Sequence, residues 1–453
     1  MNSNAKRLLS LVFVMVAILL LAACISEPAP EEAPEATGEE AISLIMMENP
    51  PVTVLTQRPI EEVIGEQDVA FPTLSPDGST IAWIKSDSGL RSKEVTQLCF
   101  YSFDAAANNC VDKPEEYNSY PAQLVWSPDS AYITFSENPL QLGNESDIWV
   151  FDVASSEFAN LTDDGQYGSW ASMEPGTYTL DYLPMWNAAD GLIYFWRSVP
   201  DGEGGVSLDL YRVSPTGGEA ELAVDLPKGV AVALPVWDFE FFYMDGPWAI
   251  SPDGGKAAVI INTVADPKDA SPDSDGLWLI DLQNAEAQPQ HVATMADFQS
   301  TMPSWQETPA RAMALAWTAD SQGVVVLDQS NDIQLQINMF DYVDAAGGEM
   351  TPITDFSGVA TREEYFVSND ATLPPMFYSP WTATVSPAGD KLLMWNDLTG
   401  VSGMLVSLLP PDGEKPGVVY GSDYTSSYIR TRVSTSEDGK VIMYGLLLTV
   451  EEE

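Results

Sequence analysis

A turn phrase that recurs seven times, a β-rich run behind each copy and an alternating strand pair behind each run predict an all-β fold. Together they specify a β-propeller, with seven four-stranded blades as the leading count and six or eight as alternatives. The phrase is an apolar or tryptophan residue followed by Ser-Pro-Asp-Gly or a variant. It runs Leu74-Ser75-Pro76-Asp77-Gly78, Trp126-Ser127-Pro128-Asp129-Ser130, Trp186-Asn187-Ala188-Ala189-Asp190-Gly191 and Ile250-Ser251-Pro252-Asp253-Gly254. It continues as Trp317-Thr318-Ala319-Asp320-Ser321, Val385-Ser386-Pro387-Ala388-Gly389 and Thr435-Ser436-Glu437-Asp438-Gly439. Proline presets φ, aspartate accepts backbone amides within the turn and glycine tolerates positive φ, so each phrase is a tight hairpin between two strands, a and b. Asp77, Asp129, Asp253 and Asp320 are therefore read as turn formers. Trp126, Trp186 and Trp317, at one repeat position, are read as packing between blades.

Strands c and d follow. Asp147–Asp152 leads to Ala159–Thr162, Leu277–Asp281 to His291–Ala293, and Gln336–Asp341 to Pro352–Thr354, each c strand closing on an aspartate. The seventh copy carries only a and b, read over 432–450. Its c and d strands are sought at the other end of the chain, in Ile42–Met47 and Val52–Thr56. N-terminal strands would thus pair with C-terminal ones, closing the ring and hiding its edges.

The first residues read as an export signal, 1–23. Lys6 and Arg7 precede an apolar run from Leu8 to Leu21 that is short for a membrane span. Leu21-Ala22-Ala23-Cys24 resembles the bacterial lipobox, which implies acylation of Cys24 and a protein exported and anchored by lipid to the cell envelope. Residues 24–41 are Pro/Glu/Ala-rich and form an extended, self-repelling tether; 42–453 form the propeller. The 453-residue chain has 19 Lys plus Arg against 67 Asp plus Glu, a net charge of −48. Loss of Lys6 and Arg7 with the leader takes the charge to about −50, which excludes nucleic acid as a partner.

These repeats resemble those of the TolB-type propeller family over about residues 42 to 450. Similar blades occur in the propellers of prolyl-oligopeptidase-like and tricorn-like proteases. The resemblance implies the fold and is nearly silent on function. The chain departs from TolB itself: no stretch before residue 71 accommodates TolB's N-terminal α/β domain, and TolB carries no lipid anchor.

Chemistry-bearing motifs are sparse. The single histidine, His291, falls in a d strand and is read as structural, which leaves no His-based catalysis or multi-His metal site. No nucleophile elbow, phosphate loop or dinucleotide fingerprint occurs. Cys99 and Cys110 fall opposite each other when a hairpin is centred on 104–109, a disulfide geometry in an oxidising compartment. Asp266, Asp269, Asp273 and Asp275 lie in a dense carboxylate loop, read as a solvated acidic loop with a calcium site as the alternative, since the spacing is not that of an EF-hand; no other cofactor is expected.

Within each unit the a–b and c–d turns are short and share one end of the sheet. The b–c loops and d–a crossings are long and share the other. Loops on a rigid scaffold are where binding residues concentrate. Trp170, Tyr178, Trp237, Phe241, Tyr243, Trp305 and Tyr378 lie on those crossings, with Arg311 and Arg430 where inner strands begin. They form the expected ligand platform, aromatics for contact and arginines for an anionic group. The leading functional expectation is a tethered binding or scaffold module for a protein, peptide or glycan. The alternatives are a carbohydrate-active or other hydrolytic enzyme using channel-facing carboxylates, and an envelope assembly factor. An enzyme should bury carboxylates with raised pKa at the channel mouth; a binding module should show an uncharged aromatic patch.

Overall fold

The computed structural model describes residues 55–66, 69–86, 95–115, 124–136, 146–165, 179–200, 206–225, 248–261, 272–284, 287–300, 310–318, 320–330, 338–352, 383–385, 391–394, 403–407, 418–422, 434–443 and 446–450. Their strands pair into four-stranded antiparallel meanders. Sheet 1 is β2 (Ala70–Leu74), β3 (Thr80–Ser86), β4 (Val95–Ser102) and β5 (Ala107–Asp112). Sheet 2 is β6 (Val125–Trp126), β7 (Tyr132–Ser136), β8 (Ile148–Asp152) and β9 (Glu157–Asn160). Sheet 3 is β10 (Leu180–Trp186), β11 (Ile193–Pro200), β12 (Val206–Val213) and β13 (Glu221–Val224). Sheet 4 is β14 (Trp248–Ile250), β15 (Lys256–Ile261), β16 (Gly276–Asp281) and β17 (Gln290–Thr294). Sheet 5 is β18 (Ala310–Trp317), β19 (Gly323–Ser330), β20 (Asn338–Asp344) and β21 (Met350–Pro352). Sheet 6 is β22 (Ala383–Val385), β23 (Lys391–Met394), β24 (Gly403–Ser407) and β25 (Val418–Ser422).

The remaining sheet joins the two ends of the described chain. Its order is β1 (Leu55–Pro59), β28 (Leu446–Val450), β27 (Val441–Met443) and β26 (Ser434–Thr435). Leu55 pairs with Val450 and Pro59 with Leu446. The reading of 432–450 as two strands needs correction. Met443 pairs with Leu446 across Tyr444 and Gly445, so the run that looked like one b strand is strands b and c. The N-terminal segment then supplies a d strand through Leu55–Pro59, and Ile42–Met47 lies outside the described residues.

The a–b phrases fold as their chemistry dictates. Ser75 Oγ donates to Asp77 Oδ1 at 2.6 Å, and the same 2.6 Å bond recurs as Ser127 to Asp129, Ser251 to Asp253 and Ser436 to Asp438. These bonds are the largest of the effects that hold the Asp129 and Asp253 carboxyls below the usual range; in Asp77 burial is opposed by Ser75 together with Ser79 and Ser130, and in Asp438 by Lys440 together with Ser436, and both carboxyls are lowered. The turns also link neighbouring sheets. The Asp77 amide donates to Ser130 Oγ (3.2 Å), the Asp253 amide to Ser321 Oγ (3.1 Å), and the Glu437 amide to the Pro76 carbonyl (2.7 Å). Deeper in, Trp186 Nε1 donates to the Val125 carbonyl (3.1 Å) and Trp317 Nε1 to that of Ala249 (2.9 Å), each indole reaching into the preceding sheet. The core is layered between sheets: Ile148, Val150, Trp186, Ile193 and Phe195 fill one junction, and Ile260, Leu279, Leu315, Val324 and Val326 another.

Two short helices sit on d–a crossings. Ile60, Val63 and Ile64 of α1 (Ile60–Ile64) are buried, as are Met295 and Phe298 of α2 (Met295–Ser300). Cys99 and Cys110 are register partners on β4 and β5, joined by a disulfide with Cα atoms 4.0 Å apart.

Candidate functional site

The end of sheets 2 and 3 that carries the b–c and d–a connections holds a buried polar cluster. Asp147 immediately precedes β8, Asp181 is the second residue of β10 and Arg197 lies in the second half of β11. Sequence reasoning passed over all three. Asp181 and Arg197 are register partners, and the guanidinium grips the carboxylate with both arms, Nε to Oδ1 at 2.7 Å and Nη2 to Oδ2 at 2.6 Å. The same guanidinium carbon lies 4.6 Å from the Tyr211 ring centre and 5.4 Å from that of Phe195. Sheet 2 meets this pair through Ser146, whose Oγ donates to the Asp181 carbonyl (2.7 Å) while the Asp181 amide donates to the Ser146 carbonyl (2.8 Å). Asn160 Nδ2 donates to Asp147 Oδ2 (2.7 Å) and Thr162 Oγ1 to Asp147 Oδ1 (3.3 Å).

Backbone strain sits beside the cluster. The β10–β11 register slips between Tyr182 and Met185, and Leu183 there adopts φ 54°. A bulky residue in that region is costly, and such bulges re-aim side chains near functional sites. The strained peptide is used: the Leu183 carbonyl accepts Trp248 Nε1 at 3.1 Å.

The two carboxyls occupy different environments. Burial pushes Asp147 up to about 6, against the Asn160 hydrogen bond and with help from the charges of Asp181, Asp164 and Asp163. Burial also raises Asp181, but the Arg197 hydrogen bonds and charge oppose it, and the bidentate geometry is that of an ionised carboxylate. A carboxyl that titrates near neutrality beside one held by arginine is an arrangement suited to proton transfer.

A second acidic pair occupies sheet 5. Asp328 on β19 and Asp341 on β20 are fully buried, and burial together with Asp341 holds Asp328 well above the ordinary carboxylate range. Asp341 does not close its c strand, contrary to the sequence reading. The turn aspartate is Asp344, whose Oδ1 accepts the Ala346 and Gly347 amides, as Asp152 and Asp281 cap the equivalent turns in sheets 2 and 4. Asp341 lies two residues before Val343, a core position, and strand alternation carries it inward.

Of the expected ligand platform, Trp170, Tyr178, Trp237, Phe241, Tyr243, Trp305, Tyr378 and Arg430 lie outside the described residues, as do Cys24, Asp266 and Asp269. The Arg311 backbone is in β18, paired with Gln329. Asp273 is exposed and Asp275 buried. No group of three or more metal-ligating residues occurs among the described residues. His291 stacks on Trp278 with ring centres 4.6 Å apart and places Nε2 3.2 Å from the Asp275 carbonyl, a packing role.

The class that the sheets and their junctions define is an all-β fold of the propeller type. No family model and no curated protein matches the chain. Solved structures do. An oligogalacturonate lyase in complex with manganese superposes with a TM-score of 0.52 at 11% identity, over 89% of this chain and 97% of that one. The oligogalacturonate lyase of Vibrio parahaemolyticus gives 0.50 at 10% identity, over 88% and 98%. Prolyl oligopeptidase B from Galerina marginata gives 0.45 at 12% identity, over 78% of this chain and 42% of that one. At these identities the likeness is one of fold.

Proposed function

We propose that this chain is an exported, lipid-anchored propeller enzyme of the hydrolase or lyase kind, acting on a neutral glycan at the face that carries its long connections. The observation that carries this reading is the Asp147–Asp181–Arg197 cluster at the junction of sheets 2 and 3. Asp147 changes charge near neutral pH and serves as the proton donor and acceptor; Asp181, fixed by Arg197, stays ionised. The two lyase structures, matched over nearly their whole length, support the reading that a chain of this fold and extent carries an enzyme. A polyanionic substrate is disfavoured by the net charge of −48 and by the engagement of Arg197 with Asp181. Cys24 is the anchor and 24–41 the tether. The sheets are the blades of a seven-membered ring closed by the β1–β28 pairing, a reading supported by the bond from Glu437 to Pro76.

The test is a panel of neutral oligosaccharides offered to the purified chain and to Asp147→Asn. Turnover that disappears in the variant while ligand affinity persists is the expected result; turnover unaffected by the substitution would overturn the assignment. Cys24→Ser should move the protein from the membrane to the soluble fraction, and a variant still bound to membranes would refute the anchor.

A binding or scaffold module is the second reading. It is favoured by the low exposure of the two carboxyls, 3% for Asp147 and 2% for Asp181. Saturable binding of a glycan, peptide or protein with no turnover across the panel would select it.

A further inference from the structure

We infer that Asp328 and Asp341 form a proton-sharing carboxyl dyad, a titratable latch inside sheet 5 that is separate from the cluster between sheets 2 and 3. The argument begins with the repeat. Trp186 pairs with Ile193 and Trp317 with Val324, so the b strands of sheets 3 and 5 align from those residues. Four residues on, sheet 3 has Arg197 and sheet 5 has Asp328. On the neighbouring c strands, the residue opposite Phe195 is Tyr211 and the residue opposite Val326 is Asp341. The two positions that meet as a guanidinium over a tyrosine ring in sheet 3 therefore meet as two carboxyls in sheet 5. The a-strand partner changes as well: Asp181 stands opposite Arg197, but Ala312 stands opposite Asp328.

Among the described residues neither oxygen of Asp328 has a hydrogen-bond donor, and the side chain is fully buried. An isolated carboxylate in such a place is far too costly to persist. The described side chains of the neighbouring sheet offer it no donor. Across the junction, sheet 4 presents Ala258, Ile260, Leu277 and Leu279. Titratable groups of the surrounding strands include Asp275 before β16, His291 on β17, Asp344 at the turn end of β20, Arg311 on β18 and Lys256 on β15, whose Nζ donates to the Ala345 carbonyl at 3.0 Å. His291 stacks on Trp278, which belongs to the core between sheets 3 and 4. Arg311 pairs with Gln329, one register step from Asp328. Asp341 is its diagonal neighbour: the β19–β20 register sets Met339 opposite Asp328 and Asp341 opposite Val326, so the two fully buried carboxyls share one face of adjacent strands. One proton held between the two carboxyls turns a repulsion into an O–H···O bond and leaves a single shared charge.

The dyad's proton is retained above the pH at which ordinary carboxyls ionise. Because its folded pKa is raised, the stabilisation is complete below the ordinary carboxylate range and is lost as pH rises through the dyad's own titration. The test uses the full chain, Asp328→Asn and Asp341→Asn. Infrared spectra at about pH 8, well above the ordinary carboxylate range, should retain a protonated-carboxyl carbonyl band in the wild type that Asp328→Asn lacks. The Asp147 carboxyl, at about 6, is ionised there and does not contribute. Melting temperatures of Asp328→Asn relative to wild type should rise between about pH 5 and about pH 8. Absence of the wild-type band at the higher pH overturns the dyad, even if the variants fail to fold. A wild-type melting temperature at that pH that rises with added calcium or sodium, while Asp328→Asn does not respond, would replace the proton with a metal cation and equally overturn it.

Discussion

Replacing Asp147 by asparagine should stabilise the protein at neutral pH and not in acid. Burial lifts the Asp147 carboxyl from an ordinary 3.8 to about 6. At 1.36 kcal/mol per pH unit that gap is worth about 3 kcal/mol. The sign follows from proton counting. Between the two values the folded state holds a proton that the unfolded chain has lost, so wild-type stability falls as pH rises from about 4 and levels off above about 7. Asparagine has no charge to bury and keeps an acceptor for Asn160 Nδ2, although the bond becomes neutral and loses about 1 kcal/mol. The net gain of Asp147→Asn over wild type should therefore be about 2 kcal/mol above neutral pH and should vanish or reverse at about pH 4. Urea unfolding at a series of pH values, followed by tryptophan fluorescence and extrapolated linearly, measures the difference directly. A variant-minus-wild-type stability that is the same in acid and at neutrality would refute the claim that Asp147 is the strained titrating group.

Arg197→Met should cost about 3–5 kcal/mol by leaving Asp181 buried and unpaired, and adding Asp181→Leu should recover most of that in a double-mutant cycle; additive losses would show that the pair is not coupled. Reduction of the Cys99–Cys110 bond should lower stability by about 2–3 kcal/mol, read as a shift in the urea midpoint between oxidised and reduced protein. Gly276→Ala should destabilise by at least about 2 kcal/mol, because Gly276 has φ 140° and a Cβ there would run into the Ala293 carbonyl; an unchanged melting temperature would contradict the β16–β17 geometry.

The four-stranded meanders were legible because the turn phrases are local. Ser75, Asp77 and Gly78 fix a hairpin with contacts inside one short stretch, and the same holds around Ser251 and Asp253. The end of the chain was harder. Val441–Val450 is apolar almost throughout, and periodicity alone cannot show that Tyr444 and Gly445 separate two strands. Asp341 was misread for a related reason. Phe340-Asp341-Tyr342-Val343-Asp344 offers two aspartates three residues apart, and only the amides of Ala346 and Gly347 identify Asp344 as the turn former. The cluster at Asp147, Asp181 and Arg197 is assembled from two strands of sheet 3 and the segment leading into β8 of sheet 2, beyond the reach of any local pattern. A signal was nonetheless present: Arg197 interrupts the apolar run of β11, and a cation in such a run needs a buried partner.

That signal generalises to the whole repeat. In stacked sheets the b-strand positions that face a neighbouring sheet are interchangeable in principle, and an apolar residue at each would give a working junction. Counting four residues along from the start of the aligned b strands gives Ile261 in sheet 4, which obeys that rule with full burial. The same position holds Lys85 in sheet 1, Arg197 in sheet 3 and Asp328 in sheet 5. Lys85 stays half-exposed and reaches Glu66 at 3.5 Å, an arrangement that costs little and contributes little. Arg197 and Asp328 are different, because each lies deep enough to demand a specific partner. Arg197 has one in Asp181, whereas Asp328 meets a second acid. Packing alone would favour isoleucine at both places, so the departure from the repeat requires a reason outside stability. All of these positions fall toward the end of the sheets that bears the long b–c and d–a connections. The short-turn end shows the opposite behaviour, with one serine–aspartate bond repeated almost without variation. One end of the described sheets is thus uniform, and their buried charge is concentrated at the other.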